Sequence, residues 1–240
     1  MRHLGFVLFP NVTQLDFTGP MQILARLPGT TAHVVGPSLD PIPTDCGFGL
    51  VPTTSFDDCP PLDLLCVPGG YGVDGALHDG VTVPFLKRQG ARARYVTSVC
   101  TGAFLLGAAG LLEGRRATTH WAYHGLLDRV GAVPTEGRVV VDRGEADPPS
   151  EGAARATVIT GGGVTAGIDF ALSLAAEVCG EEVAQAIQLA VEYDPQPPFG
   201  AGHPSRAPEG VRAQVGRRFA ERRPAFERAL LAALRDGERG

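Results

Sequence analysis

The chain is short of positive charge, of aromatic residues and of long apolar runs. Its 240 residues carry 26 Asp and Glu against 21 Lys and Arg, a formal net charge of −5, with an isoelectric point near 5.7. That balance argues against nucleic acid as the main partner. The apolar stretches are far shorter than a membrane span, so no membrane partner is expected. The opening residues, "MRHLGFVLFP", are apolar but lack a small-residue cleavage site. They read as a buried strand rather than a signal peptide, and the cytoplasm is the default location. Cys46, Cys59, Cys66, Cys100 and Cys179 are odd in number and include no CxxC pair. Reduced thiols suit that pattern better than a disulfide framework. No Cys/His cluster has metal-ligand spacing, so no metal is expected.

What is present reads as one globular domain with decoration. Apolar strand candidates at Leu4–Pro10, Ala32–Gly36, Leu62–Gly70, Arg94–Val99, Arg138–Asp142 and Thr157–Thr160 alternate with helical patterns. The helices are predicted from about Gly19 to Leu27, with Thr18 as cap and Pro20 in the first turn, and then over Trp121–Val130. Two more follow, Thr165–Val178 and Glu181–Tyr193. Pro41–Thr54 resembles a hairpin with Cys46–Gly49 near its turn. Apolar strands alternating with helices predict an α/β fold, a doubly wound, mostly parallel sheet with helices on both faces. Arg143–Arg155 is polar and rich in Pro and Gly, a surface-loop pattern. The tail beyond Pro204 spaces Val211, Val215, Phe219, Phe226, Leu230 and Leu234 at helical intervals, predicting an amphipathic helix or two packed on the body or on a partner subunit.

Three stretches carry chemistry. In "YVTSVCTGAFLLGAAG" a β-rich run becomes helical at Cys100, with small Ser98 and Gly102 two residues to either side. Sharp strand-to-helix elbows need small neighbours, and first-turn N–H groups favour a thiolate, so Cys100 is the candidate nucleophile. Cys66, mid-strand, and Cys179, beside a helix end, read as packed thiols. "VPGGYG" places Gly69 and Gly70 after a strand, where backbone N–H groups suit either an oxyanion hole or a plain tight turn. "QLDFTGP" places Asp16 after the first strand, as a helix-dipole carboxylate or a proton carrier for Cys100. His120 and His124 are four apart on a predicted helix without a third metal ligand. His120 reads as a pocket wall and His124 as structural.

The acid after strand one, the "PGG" and the cysteine elbow come in the order that resembles the ThiJ/PfpI superfamily, with its flavodoxin-like, class I glutamine-amidotransferase-like fold. Within it, "DFTGP", "SVCTGAFLLGAAGLLEGRRATTHW", "GGGVTAGIDFALSLA" and "QLAVEYDPQPPF" are most similar to the isonitrile hydratases. The resemblance spans roughly Leu4 to His203. It implies an α/β domain over residues 1–203 and a C-terminal helical extension over residues 204–240. Protease-like and chaperone-like members typically follow the cysteine with His or Ala and use a glutamate after strand one. Here Thr101 follows Cys100 and the acid is Asp16. Sensing domains of AraC-type regulators look similar but continue into paired helix-turn-helix units, for which little chain follows here.

The resemblance implies hydration of a small-molecule isonitrile to an N-substituted formamide. Cys100 would add to the terminal carbon, Asp16 would carry protons, and Thr101 would orient water. Gly69 and Gly70 would bind the developing oxygen, and His120 would line the pocket. No cofactor is required, and a homodimer is expected by analogy. The alternatives are another cysteine-dependent hydrolase of the superfamily and a non-catalytic ligand-sensing module.

Overall fold

The computed structural model describes residues 1–144 and 156–237. In chain order these form β1 (Arg2–Val7), α1 (Gln14–Leu24), β2 (Thr30–Gly36), β3 (Ile42–Pro43), β4 (Gly49–Leu50), β5 (Thr54–Ser55) and β6 (Leu64–Val67). Next come α2 (Val73–Ala76), α3 (Thr82–Gly90), β7 (Tyr95–Val99), α4 (Gly102–Ala108), β8 (Arg116–Ala117) and a 3-10 helix (His124–Val130). The remainder is β9 (Val133–Pro134), β10 (Val139–Asp142), β11 (Thr157–Gly161), α5 (Ala166–Cys179), α6 (Glu181–Ala190) and α7 (Glu209–Gly237). Of the predicted Arg143–Arg155 loop, residues 145–155 lie outside the described residues.

A seven-stranded sheet, in the order β10-β11-β7-β6-β1-β2-β5, forms the centre. Its pairs are parallel except β10 with β11. Residues Leu64 to Val67 and Tyr95 to Val99 are all buried, as expected where helices cover both faces of parallel strands. α1, α5 and α6 pack together, whereas α4 contacts α2, α3 and α7. The strand order turns back between β1 and β6, because β2 and β5 continue on one side and β7 and β11 on the other. Such a switch point leaves a crevice at the carboxyl ends of its two strands.

Two elements differ from the predicted ones. α1 starts at Gln14, with Thr13 and not Thr18 at the N-cap position, so Pro20 sits inside the helix. The ring of Pro20 packs against α5 at Gly167, where a Cβ would come within 3.1 Å of Pro20 Cδ. A proline in a helix sacrifices one backbone hydrogen bond, and here close helix packing accompanies that loss. The Trp121–Val130 segment is not an α-helix. Tyr123 N–H donates to His120 O at 2.9 Å and Leu126 N–H to Tyr123 O at 2.8 Å, the tighter three-residue spacing of a 3-10 coil. His120 therefore stands in the turn before that helix, not on one helical face with His124. α7 is a single helix with Pro224 inside it, and Phe226 and Leu230 bury its apolar face.

The antiparallel edge is tied to the body by a buried ion pair. Arg115 Nε donates to Asp142 Oδ1 at 2.9 Å, and Arg115 Nη2 donates to the carbonyls of Asp142 at 2.8 Å and Ala156 at 2.9 Å. Burial alone pushes the Asp142 carboxyl up. The N–H groups of Arg116 and Gly144 and the Arg115 guanidinium outweigh it, and the net direction is down. Removing one partner of such a pair leaves a buried charge unpaired, at a cost of about 3–5 kcal/mol. Arg115→Ala is therefore expected to lower the melting temperature by about 10 °C. Arg115→Lys is expected to recover only part of that, because an ammonium cannot serve three oxygens in a fixed plane. Thermal denaturation of the two variants tests this.

Candidate active site

β11, β7, β6 and β1 are successive neighbours in the sheet, and the residues that follow their carboxyl ends converge. Cys100 follows β7, Gly69 and Gly70 follow β6, Gly161 ends β11, and Asp16 lies in the first turn of α1 after β1. Cys100 has φ 57°, one of three non-glycine residues with positive φ among the described residues. That conformation costs an L-residue about 1–2 kcal/mol, and three backbone hydrogen bonds hold it. Cys100 N–H donates to Gly161 O at 3.0 Å and Gly162 O at 2.9 Å. Its carbonyl accepts from the Thr119 hydroxyl at 2.6 Å. The elbow needs Gly102, where a Cβ would lie 2.3 Å from Val67 O and 2.6 Å from Pro68 O.

The two glycines after β6 serve the side chains around them. Gly69 N–H donates to Asp16 Oδ2 at 3.1 Å, and Gly70 N–H donates to Thr101 Oγ1 at 3.0 Å. The donors expected to face a ligand oxygen are thus committed to Asp16 and Thr101. Gly69 has no room for a side chain, since a Cβ would lie 2.5 Å from Thr101 N and 3.0 Å from Asp16 Oδ2. At Gly70, φ is 141°, a glycine conformation.

Asp16 has no exposed surface. Burial pushes its carboxyl from an ordinary value of 3.8 up to about 7, against the opposing pull of Cys100 and the Gly69 N–H. Its Oδ1 has no hydrogen-bond partner among the described residues. Cys100 is buried too, and burial, then the Asp16 charge, holds its thiol well above its ordinary value. The Thr101 N–H and hydroxyl pull the other way and do not prevail. The thiolate expected from the helix N-terminus is therefore not the resting form. Near neutrality the pair holds at least one proton, on sulfur, with Asp16 poised to take up a second.

Cys100 and Thr101 open onto a pocket of about 400 Å3. His120, Tyr123, Phe219 and Phe226 line it, and Asp45, Asp74, Glu221 and Arg222 are its charged groups. His120 is held down at about 4 by burial, so its ring is neutral at pH 7, and its Nδ1 accepts from Ala122 N–H at 3.3 Å. His124 points elsewhere, to the Thr135 carbonyl at 3.1 Å. Cys66 is buried in β6 and Cys179 ends α5. Among the described residues no group of three or more His, Cys, Asp or Glu is arranged to hold a metal ion. No described helix is long and apolar enough to cross a membrane.

Residues 2–177 match the DJ-1/PfpI family. The chain belongs to that family. It is 52% identical over 217 residues to the isonitrile hydratase of Pseudomonas putida, covering 90% of each chain. A crystal structure of a ThiJ/PfpI family protein from Pseudomonas syringae superposes with a TM-score of 0.85 at 40% identity, covering 97% of this chain and 90% of that one. A helix-turn-helix-type transcriptional regulator of Pseudomonas aeruginosa is 27% identical over 219 residues, and the match spans 89% of this chain and 59% of the regulator.

Two features of this DJ-1/PfpI site were missed from sequence. One is Thr119, whose hydroxyl holds the elbow carbonyl. Its signal was a pair of buried threonines, Thr118 and Thr119, ahead of His120. The other is the place of the predicted C-terminal helix, α7, at the site, where Phe219 and Phe226 wall the pocket. Their spacing of seven gave the helix, but spacing cannot say what the apolar face covers.

The raised Asp16 value carries a stability consequence. Between pH 3.8 and about 7 the unfolded chain releases this proton while the folded protein keeps it, so stability falls as pH rises through that window. The penalty at pH 8 is about 4 kcal/mol. Asp16→Asn is expected to melt at least about 5 °C above wild type at pH 8 and to lose that advantage at pH 4. Equal melting temperatures at both pH values would contradict the burial of a titrating carboxyl.

Proposed function

We propose that this chain is an isonitrile hydratase, adding water to R–N≡C to give R–NH–CHO. The observation that carries the reading is the buried Asp16 carboxyl close enough to the Cys100 thiol to shift it, where Cys100 opens onto the pocket. Identity with the Pseudomonas putida isonitrile hydratase over most of the chain supports the substrate class.

The isonitrile carbon carries a lone pair and accepts a nucleophile once protonated. A group that gives a proton near pH 7, beside a soft nucleophile, meets both needs. Asp16 carboxylate takes the Cys100 proton as sulfur bonds to carbon and delivers it to that carbon, giving the thioimidate R–N=CH–S–Cys100. Asp16 then accepts a proton from water as its oxygen adds to carbon and passes that proton to the imine nitrogen, giving R–NH–CH(OH)–S–Cys100 and restoring the Asp16 carboxylate. The C–S bond breaks, the hydroxyl proton returns through Asp16 to sulfur, and the formamide leaves. Thr101 orients the water. The Thr101 hydroxyl accepts from Gly70 N–H at 3.0 Å and lies 3.5 Å from the Gly70 carbonyl, a long contact that it would exchange for water. Each bond made to sulfur is broken again, so no cofactor is required. A homodimer in the cytoplasm belongs to the same proposal, and light scattering tests the assembly.

Purified wild type is expected to convert cyclohexyl isocyanide to N-cyclohexylformamide, and Cys100→Ala to lose at least about a thousandfold in kcat/KM. Turnover by both proteins would remove the covalent route. Turnover by neither, with ligand binding retained in Cys100→Ala, would favour the sensing module. The pH profile of kcat/KM is expected to fall below about pH 7, where Asp16 becomes protonated and can no longer accept the thiol proton. A flat profile between pH 5.5 and 8 would exclude Asp16 as that acceptor.

A further inference from the structure

Part of the wall of the Cys100 pocket comes from α7, far away in sequence. Phe219 stands 4.8 Å from His120, 5.9 Å from Tyr123 and 5.6 Å from Trp121 between ring centroids. Phe226 stands 4.9 Å from Tyr123 and 5.1 Å from Phe104. Most of these rings meet edge to face, at interplanar angles of 61° to 83°, and the neutral His120 ring adds no charge. Edge-to-face packing extends naturally to one more aromatic ring, which gains more there than simple burial gives.

The mouth of the pocket has the opposite character. Asp45, Asp74 and Glu221 are three carboxyl groups against one guanidinium, Arg222. Arg222 is already engaged, with its Cζ 4.1 Å from the Tyr71 ring centroid, and burial raises the Asp74 carboxyl despite the opposing Arg222 charge. An anionic substituent meets net repulsion there, and an uncharged one does not.

We propose that α7 is the specificity element of this site, and that Phe219 on it selects uncharged isonitriles bearing an aromatic ring. This rests on the hydratase reading and adds the identity of R. The isonitrile carbon lies at Cys100 while the ring of R stacks within the Phe219, Tyr123 and Phe226 cluster. A substituent of one carbon does not reach α7 and gains nothing from it. Phe219 acts on binding of R alone and takes no part in the bond changes at sulfur.

The test is the ratio of kcat/KM for benzyl isocyanide to that for methyl isocyanide, in wild type, Phe219→Ala and Phe219→Leu. Within one preparation both substrates see the same folded fraction, so loss of fold cancels from the ratio. The ratio is expected to fall about tenfold in Phe219→Ala and by less in Phe219→Leu. Wild type is also expected to turn over benzyl isocyanide at least about tenfold better than the isocyanoacetate anion at low ionic strength, with the gap narrowing in salt. An unchanged ratio in both variants would overturn the role of α7. Preference for the anion would overturn the charge argument. Wild type that converts none of the three compounds would overturn the hydratase reading itself, and the inference with it.

Discussion

A carboxyl group with no exposed surface is the constraint on which the rest of this site depends. Asp16 lies under the sheet's switch point, where β1 and β6 part, and one oxygen accepts from the Gly69 N–H. Desolvation keeps its proton on to about pH 7, and burial of Cys100, then the Asp16 charge, holds the thiol proton on sulfur. Neither group is tuned alone. In the proposed hydration the thiol becomes a nucleophile only as Asp16 takes its proton, and Asp16 then gives that proton to the carbon that sulfur attacks.

The surrounding backbone exists to keep these groups in contact. Glycine is required at 69 because Thr101 and Asp16 fill the space a Cβ would take, and at 102 because the β6 carbonyls do. The positive φ of Cys100 is held from both sides, by the β11 carbonyls and by Thr119. Local strain of this kind is sustained by a rigid sheet whose core strands are fully buried. The arrangement also opposes stability, because a buried titrating carboxylate weakens the fold as pH rises. Under the proposed reaction, function and stability pull on the same residue.

Much of this was legible in the sequence, for reasons that lie in local chemistry. Buried parallel strands read as apolar runs, so β1, β6, β7 and β11 could be named, while their order in the sheet could not. The elbow at Cys100 and the glycine pair were marked by small residues where bulk cannot fit. Other features were hidden because they depend on what meets across space. Pro20 reads as a first-turn proline and sits inside α1, since packing against Gly167 is invisible to a helix rule. Asp16 was expected within reach of Cys100, and it is burial of the thiol, then the Asp16 charge, that reverses the expected thiolate. The Gly69 and Gly70 N–H groups were found facing Asp16 and Thr101. The α7 stripe announced a helix, and only the fold shows that Phe219 and Phe226 look into the pocket.

The protonation of Asp16 can be measured directly. Infrared difference spectra between wild type and Asp16→Asn, recorded against pH, isolate the C=O stretch of the protonated carboxyl. The band is expected to be present at pH 5.5, to titrate away with a midpoint near 7, and to shift when Cys100 is replaced by Ala. A carboxyl already ionised at pH 5, with no dependence on Cys100, would contradict the shared-proton site.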